Sequence, residues 1–415
     1  VTCDDETAPA DAIHVSHELG NDANAGTGSK PLATLKAAIA KGAGKTIVMD
    51  WGDYAEQALS VPEGVSITIR GGYTAAASGL WQRSCGDFPT RTRILLSPGV
   101  GMDSRASLIL DSVALEQRAP ASASGAASIA LWARAGALNA VNVSIVAAGG
   151  SPGGPAPVSG VGPSGTAKLM SCGSGTAGTP GESATTYAPW GLGESGFVAG
   201  LGHDGNPGTK GASGTPGQPG SSRSDCVNCS CSNNCSPTQT TVSVGPASCG
   251  EGGGPGPAGK GGRGGGASIA LLVGTSTAVE LVSVTLAAGE GGAGSAGADG
   301  GEGGEGADGA AGQNSGACCR AGCAAEGDGS CSAGCYVTPY LGNAVVGPCP
   351  ADRVLTSAAG GKGGKGGKGG KGARGPDGPS FALVRSAGNA IDLSAAELTF
   401  FGSNEDNNHA RERTY

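Results

Sequence analysis

Two carboxylates placed across a sugar ring, with a basic residue beside them, can cleave polysaccharide by acid–base or elimination chemistry. Asp103, Asp111, Glu116 and Arg118 come nearest to such a set in this sequence. They lie close together among short apolar runs, so a single turn of chain would have to bring them to one face. Later stretches that repeat the pattern carry few charges at matching places, chiefly Glu280, Asp392 and Glu397. The set reads as solvated surface, and no catalytic residue is assigned. His14 and His17, in and just after the first apolar run, read as surface or capping positions.

Two further patterns touch on ligand chemistry. Gly254-x4-Gly259-Lys260 nearly spells a phosphate-binding loop, but Gly261 stands where a magnesium-binding hydroxyl is needed. Asp299, Glu302, Glu305 and Asp308 punctuate a glycine run much as calcium-binding repeats do, without the large apolar residue those repeats require. Calcium is the only cofactor this leaves open, and a solvated acidic face is the default; no cofactor and no metal ligand is assigned. Lys362, Lys365, Lys368 and Lys371 recur every third residue, which on a three-residue helix makes one straight charged edge. The acidic run could lie beside that edge.

Cysteine supplies the strongest chemical signal. The 14 cysteines fall into three even groups: Cys3 and Cys85; Cys172, Cys226, Cys229, Cys231, Cys235 and Cys249; Cys318, Cys319, Cys323, Cys331, Cys335 and Cys349. Zinc is the rival reading, but the spacings do not form a paired C-x2-C site and no histidine stands beside them. Even groups at this density imply disulfides closed within each group, hence an oxidising, extracellular compartment. The opening Val1-Thr2-Cys3-Asp4-Asp5 reads as an end left after signal removal.

The elements that must position these residues are unusual. Glycine fills 82 of 415 positions, yet the net charge is only −8, so the composition lacks the charge excess of a disordered chain. Mild acidity and four histidines argue against a nucleic-acid partner. No apolar run reaches the ~18 residues of a membrane span. Short apolar runs at 13–16, 46–49, 65–70, 93–97 and 107–110 predict strands, and Leu32, Leu35 and Ile39 share one face of a predicted helix over 31–39.

Ile13-His14-Val15-Ser16, then Gly20-Asn21-Asp22-x-Asn24-x-Gly26-Thr27, then Lys30-Pro31-Leu32-Ala33-Thr34-Leu35-x-Ala37-Ala38 resembles the N-terminal signature of secreted right-handed parallel β-helix proteins of the pectin-lyase-like type. The resemblance covers about 30 residues. It implies that the short helix caps the coil, and it implies a fold rather than an activity. An internal repeat agrees with it. The units beginning Ser128-Ile-Ala-Leu, Ser268-Ile-Ala-Leu and Ser380-Phe-Ala-Leu each read strand, turn, strand, glycine exit. Such units bury their apolar faces only by stacking.

Between the coils lie two glycine-rich excursions with period-three runs, as at 205–220 and 360–372. A collagen frame is broken and too poor in proline. Flexible linker is the plain alternative. Polyglycine-II helices hydrogen-bonded side by side, as in snow flea antifreeze protein and some phage tip adhesins, fit the period and the local cysteines.

The expected fold is thus all-β: a right-handed parallel β-helix with a short N-terminal capping helix and two long, disulfide-pinned, polyglycine-II-like insertions. The expected division is 1–149 (coils with cap), 150–266 (Gly/Cys-rich insertion), 267–289 (coil), 290–379 (Gly/Cys-rich insertion) and 380–415 (last coil and polar tail). The expected role is an extracellular or bacterial cell-surface structural protein rather than an enzyme, self-assembling into a filament or layer with other copies of itself. A glycan- or host-binding adhesin is the alternative, and a polysaccharide lyase or hydrolase the third reading. The polar tail after Gly402 shows no amphipathic cap, which leaves the C-terminal end open or covered only by a solvated plug.

Overall fold

A computed structural model describes residues 7–42, 44–75, 79–83, 91–120, 123–193, 196–219, 223–227, 238–242, 244–312, 356–386, 391, 393, 396–399 and 409–414. The chain is mostly β, and its main element is one curled, 15-stranded, overwhelmingly parallel sheet. The early strands are β1 (Ile13–Val15), β2 (Thr46–Asp50), β3 (Gly52–Ala55), β4 (Leu59–Val61), β5 (Ser66–Ala75), β6 (Trp81–Arg83), β7 (Thr92–Leu96), β8 (Val100–Ser104), β9 (Ser107–Asp111), β10 (Ala114–Gln117) and β11 (Ser128–Ala147). Most lie in parallel on the strand one turn below: β1 under β2, β2 under β5, β5 under β9, β9 under β11.

The helix α1 runs over Leu35–Lys41, starting four residues later and ending two later than the apolar spacing predicts. Leu32 is held back because it bridges Val15 and exchanges backbone hydrogen bonds with His14 and Ser16. Thr34 then caps the helix, its side chain accepting from Ala37 N at 3.1 Å, and the buried Glu56 carboxylate accepts from the Leu35 and Lys36 amides. Leu35, Ala38 and Ile39 bury one face against the first strands.

β11 shows how one turn is built. Its first part lies on β8, its middle on β9 and its end on β10. The chain bends between these parts at Gly136 (φ 87°) and Asn142 (φ 53°). Ser112, Asn142 and Ser283 occupy the same corner in three successive turns, and all three take positive φ. The side chains Leu110, Ala140, Leu281 and, alongside, Leu115, Ile145 and Leu286 fill the interior.

The repeat units stack in register: Ser128 on Ser268 on Ser380, and Leu131 on Leu271 on Leu383. A one-residue bulge enters the middle unit opposite Arg134, so its strand runs Ser268–Ala288, one residue longer than β11. Each leading serine is fully buried and donates to an exit carbonyl, Ser128 to Gly149, Ser268 to Ala148 and Ser380 to Gly289, all at 2.7 Å. These serines close the seam where the glycine-rich excursions leave and re-enter the sheet.

The tail corrects an expectation. His409–Thr414 is a strand paired in parallel with Ser380–Arg385, so this part of the polar tail adds a rung to the stack rather than a plug over its end. Glu412 stands over Leu383 in that register. A charged residue type thus follows a column that is leucine or methionine in the turns below, Leu59, Met102, Leu131, Leu271 and Leu383.

Candidate functional surface

The glycine-rich excursions form six extended segments: g1 (150–167), g2 (173–186), g3 (200–217), g4 (247–266), g5 (290–312) and g6 (357–379). They exchange backbone hydrogen bonds sideways at three-residue intervals. Gly363, Gly366, Gly369 and Gly372 donate to Ala307, Gly304, Gly301 and Ala298, so g5 and g6 are antiparallel neighbours. Gly364, Gly367 and Gly370 donate to Ala212, Thr209 and Asn206 of g3, while Gly253, Gly256 and Gly259 of g4 donate to Gly364, Gly367 and Gly370. Gly178 and Gly181 of g2 donate to Lys365 and Lys368. Segment g1 donates to g5 from Gly162 and Gly165 and accepts from g4 at Pro163 and Ala167. The neighbour list closes as a slab of two rows, g5–g6–g2 over g1–g4–g3.

This arrangement satisfies backbone donors and acceptors without an oily interior. It demands glycine at the contacts. A Cβ on Gly364, Gly367 or Gly370 would fall on the carbonyl oxygens of Thr176, Thr179 or Glu182; one on Gly363, Gly366 or Gly369 would fall on those of Glu251, Gly254 or Pro257. Segment g6 has four neighbours, so two residues in three must be glycine and only the lysine of each Gly-Gly-Lys triplet points outward. Segments g2 and g3 sit at one side and carry one glycine per triplet. The second glycine of each g6 triplet thus marks a segment covered on more sides than g2 or g3.

The outward positions carry charge in rows. Lys365 faces Glu305 and Glu302 at 3.4 and 3.7 Å, Lys368 faces Glu302 at 3.3 Å, and Lys371 faces Asp299 at 3.6 Å. The lysine edge and the acidic run do lie side by side. On the opposite face Lys210 meets Glu251 and Lys260 meets Asp204, each at 2.7 Å. The Lys210 ammonium and the Thr166 and Ala167 amides hold the Glu251 carboxyl down to about 2, and Lys260 with the Gly261 amide lowers that of Asp204.

Two devices fix the slab. Cys172 and Cys249 form a disulfide joining the g1–g2 connection to the start of g4, beside the short pairing of Lys168–Leu169 with Cys249–Gly250. At the other end the g2–g3 connection covers an apolar stripe on the sheet. Trp190 packs on Phe381 with ring centroids 5.7 Å apart, and Phe197 and Leu192 join it over Ile129, Ile269, Leu272 and Val384.

Among the predicted bridge residues, Cys172 and Cys249 thus pair within their own group. The Cys226 backbone lies in the strand Arg223–Val227. Cys3, Cys85, Cys229, Cys231, Cys235, Cys318, Cys319, Cys323, Cys331, Cys335 and Cys349 lie outside the described residues.

The carboxylate candidates do not converge. Asp103 is on β8, Asp111 on β9 and Glu116 on β10, three successive lengths of one turn. Each is occupied by arginine: Asp103 by Arg134 (2.8 Å) and Arg105 (3.8 Å), Asp111 by Arg83 and Arg70, Glu116 by Arg118 (3.1 Å) and Arg93 (3.9 Å). Arg118 also reaches Asp53, which no sequence signal singles out. His14 is buried and meets Trp81 edge-on at 4.8 Å, while His17 is exposed. Among the described residues, no three His, Cys, Asp or Glu side chains gather as a metal site.

Two solved structures show a partial likeness to this chain. Pectin methylesterase from carrot is 15% identical with a TM-score of 0.24, over 41% of this chain and 62% of that one. GH136 lacto-N-biosidase from Eubacterium ramulus is 12% identical with a TM-score of 0.15, over 31% of this chain and 34% of that one. The chain spans less than two thirds of either protein. No family model and no curated protein matches it.

Proposed function

We propose that this chain is an extracellular or bacterial cell-surface structural protein. In this reading the curled sheet is a right-handed parallel β-helix capped by α1, and its two excursions fold as one polyglycine-II slab held out from the coil as a stiff panel. The observation that carries the reading is the slab itself. Backbone hydrogen bonds in both rows, a disulfide and a docked aromatic cluster hold a surface built on glycine, with charge in regular rows on g3, g4, g5 and g6. A low-aromatic, regularly charged panel suits a building material whose partners are other copies of itself. The arginine-occupied carboxylates support the same choice over polysaccharide chemistry.

Antibodies raised against the panel test this. Labelling of intact cells, with purified protein seen as uniform stiff particles by electron microscopy, is the expected result. Label seen only after permeabilisation would contradict it, and saturable binding to a glycan would favour the adhesin.

A further inference from the structure

The two broad faces of the slab lay out charge differently. On the g1–g4–g3 face, the two charged rows mix signs: Glu251 and Lys260 on g4, Asp204 and Lys210 on g3. Those pairs are closed at 2.7 Å and backed by backbone donors. On the g5–g6–g2 face the facing stretches of g5 and g6 each carry one sign. Segment g5 presents Asp299, Glu302 and Glu305, and g6 presents Lys365, Lys368 and Lys371. These side chains are 46–75% exposed and stand 3.3–3.7 Å from one another. Successive charges along a row are roughly 9 Å apart at about 3.1 Å rise per residue.

An acidic row beside a parallel basic row is self-complementary about one two-fold axis, the axis that runs along the slab between the rows. Rotation about it lays the acids of one copy over the lysines of the other, at the same height, with both slabs pointing the same way. A two-fold axis across the rows would instead set acid on acid. About the axis along the slab the two faces overlap over g5 and g6, two segments at about 5 Å each, and roughly 60 Å of length at about 3.1 Å per residue. The overlap is on the order of 600 Å² per copy, at the small end of specific interfaces. Glycine ridges between the rows leave no bulky side chain to hold two such faces apart.

We infer that the g5–g6–g2 face is the contact between two copies of this chain, aligned in parallel by reciprocal pairing of the Asp299–Glu302–Glu305 and Lys365–Lys368–Lys371 rows. This deepens the structural reading and rests on it. The pairing is polar and exposed at its rim, so it weakens with salt.

Sedimentation of the full chain tests it with two charge-reversed variants. One carries Lys365→Glu, Lys368→Glu and Lys371→Glu; the other carries Asp299→Lys, Glu302→Lys and Glu305→Lys. The wild type is expected to dimerise at low salt and to do so at least tenfold more weakly near ~0.5 M salt, where the Debye length falls to a few Å. Each variant alone should be monomeric, and the two mixed should form a one-to-one complex tighter than the wild-type dimer. A wild type that stays monomeric at low salt together with a mixture that forms nothing overturns the inference, as does a dimer that neither variant changes. Should a reversed variant not fold, Lys365→Gln, Lys368→Gln and Lys371→Gln removes the row without repulsion and is expected to weaken the dimer at least tenfold. Slab amides protected from exchange in a protein that forms no complex would sink this interface alone. Unprotected slab amides would sink the structural reading beneath it.

Discussion

Gly364 passes Thr176 so closely that a Cβ on the glycine would coincide with the threonine carbonyl oxygen. The two belong to g6 and g2, far apart in sequence, and the same relation recurs for Gly367 with Thr179 and Gly370 with Glu182. Three consecutive coincidences at one spacing mean that the side chain has been removed from g6 to let whole segments touch.

Substitution within the triplets should therefore be sharply position-dependent. Gly367→Ala must push g6 and g2 apart and is expected to cost about 1–3 kcal/mol, the range for forced overpacking. Lys365→Ala, one triplet position away but pointing outward, should stay within about 0.5 kcal/mol. Denaturant titration of the two variants checks this; equal small effects would mean the segments are not in contact.

The corner stack makes a backbone prediction. Ser283 is exposed with φ 54°, a conformation that costs most residues about 1–2 kcal/mol. Ser283→Gly should leave stability unchanged or raise it, whereas Ser283→Val should lose about 1–2 kcal/mol, because a branched Cβ tolerates this region worst. Thermal melts of the pair would show no such difference if the corner were extended.

Removing the staple should be costly. Cys172 and Cys249 close a loop of sequence separation 77. Replacing both by serine is expected to cost about 2–4 kcal/mol, chiefly by freeing the unfolded chain. Peptide mapping should recover the Cys172–Cys249 pair intact; a different partner for either cysteine contradicts the slab's topology at that end.

Acid should act on two groups whose losses begin at different pH. Burial lowers the His14 pKa below its ordinary 6.5, so the unfolded chain binds the proton more readily. Stability from this group is complete above pH 6.5 and declines as the pH falls below it. His14→Gln should flatten that slope. Glu251 has its ordinary value of 4.5 lowered to about 2, so its contribution is present above pH 4.5 and fades between there and pH 2. Glu251→Gln should flatten the loss that begins at pH 4.5 and leave the onset at pH 6.5 in place.

Much of the stack was legible in the sequence. Alternating apolar runs announce the early strands, and the Ser-Ile-Ala-Leu and Ser-Phe-Ala-Leu openings place three units that do stack in register. Strands such as β3 (Gly-Asp-Tyr-Ala) and β8 (Val-Gly-Met-Asp-Ser) were not, because neighbouring turns rather than intrinsic preference hold them extended. Period-three glycine announces extended segments but not which of them touch. The sign that one segment is covered on more sides, two glycines per triplet at 360–372 against one at 205–217, was present and becomes readable only once the neighbours are known. The carboxylates were misleading in proximity: Asp103, Asp111 and Glu116 are near in sequence, but the chain turns between them, and each finds arginine.

Residue-resolved amide exchange over 360–372 and 205–217 tests the central claim most directly. The slab predicts protection at Gly363, Gly364, Gly366, Gly367, Gly369 and Gly370, and in 205–217 at Gly205, Asn206, Gly208, Thr209, Gly211, Ala212 and Gly214, whose amides are all bonded to neighbouring segments. Uniformly fast exchange through both runs would mean that the glycine segments do not pair, and the account of this protein as a glycine-panelled structural material would fall with them.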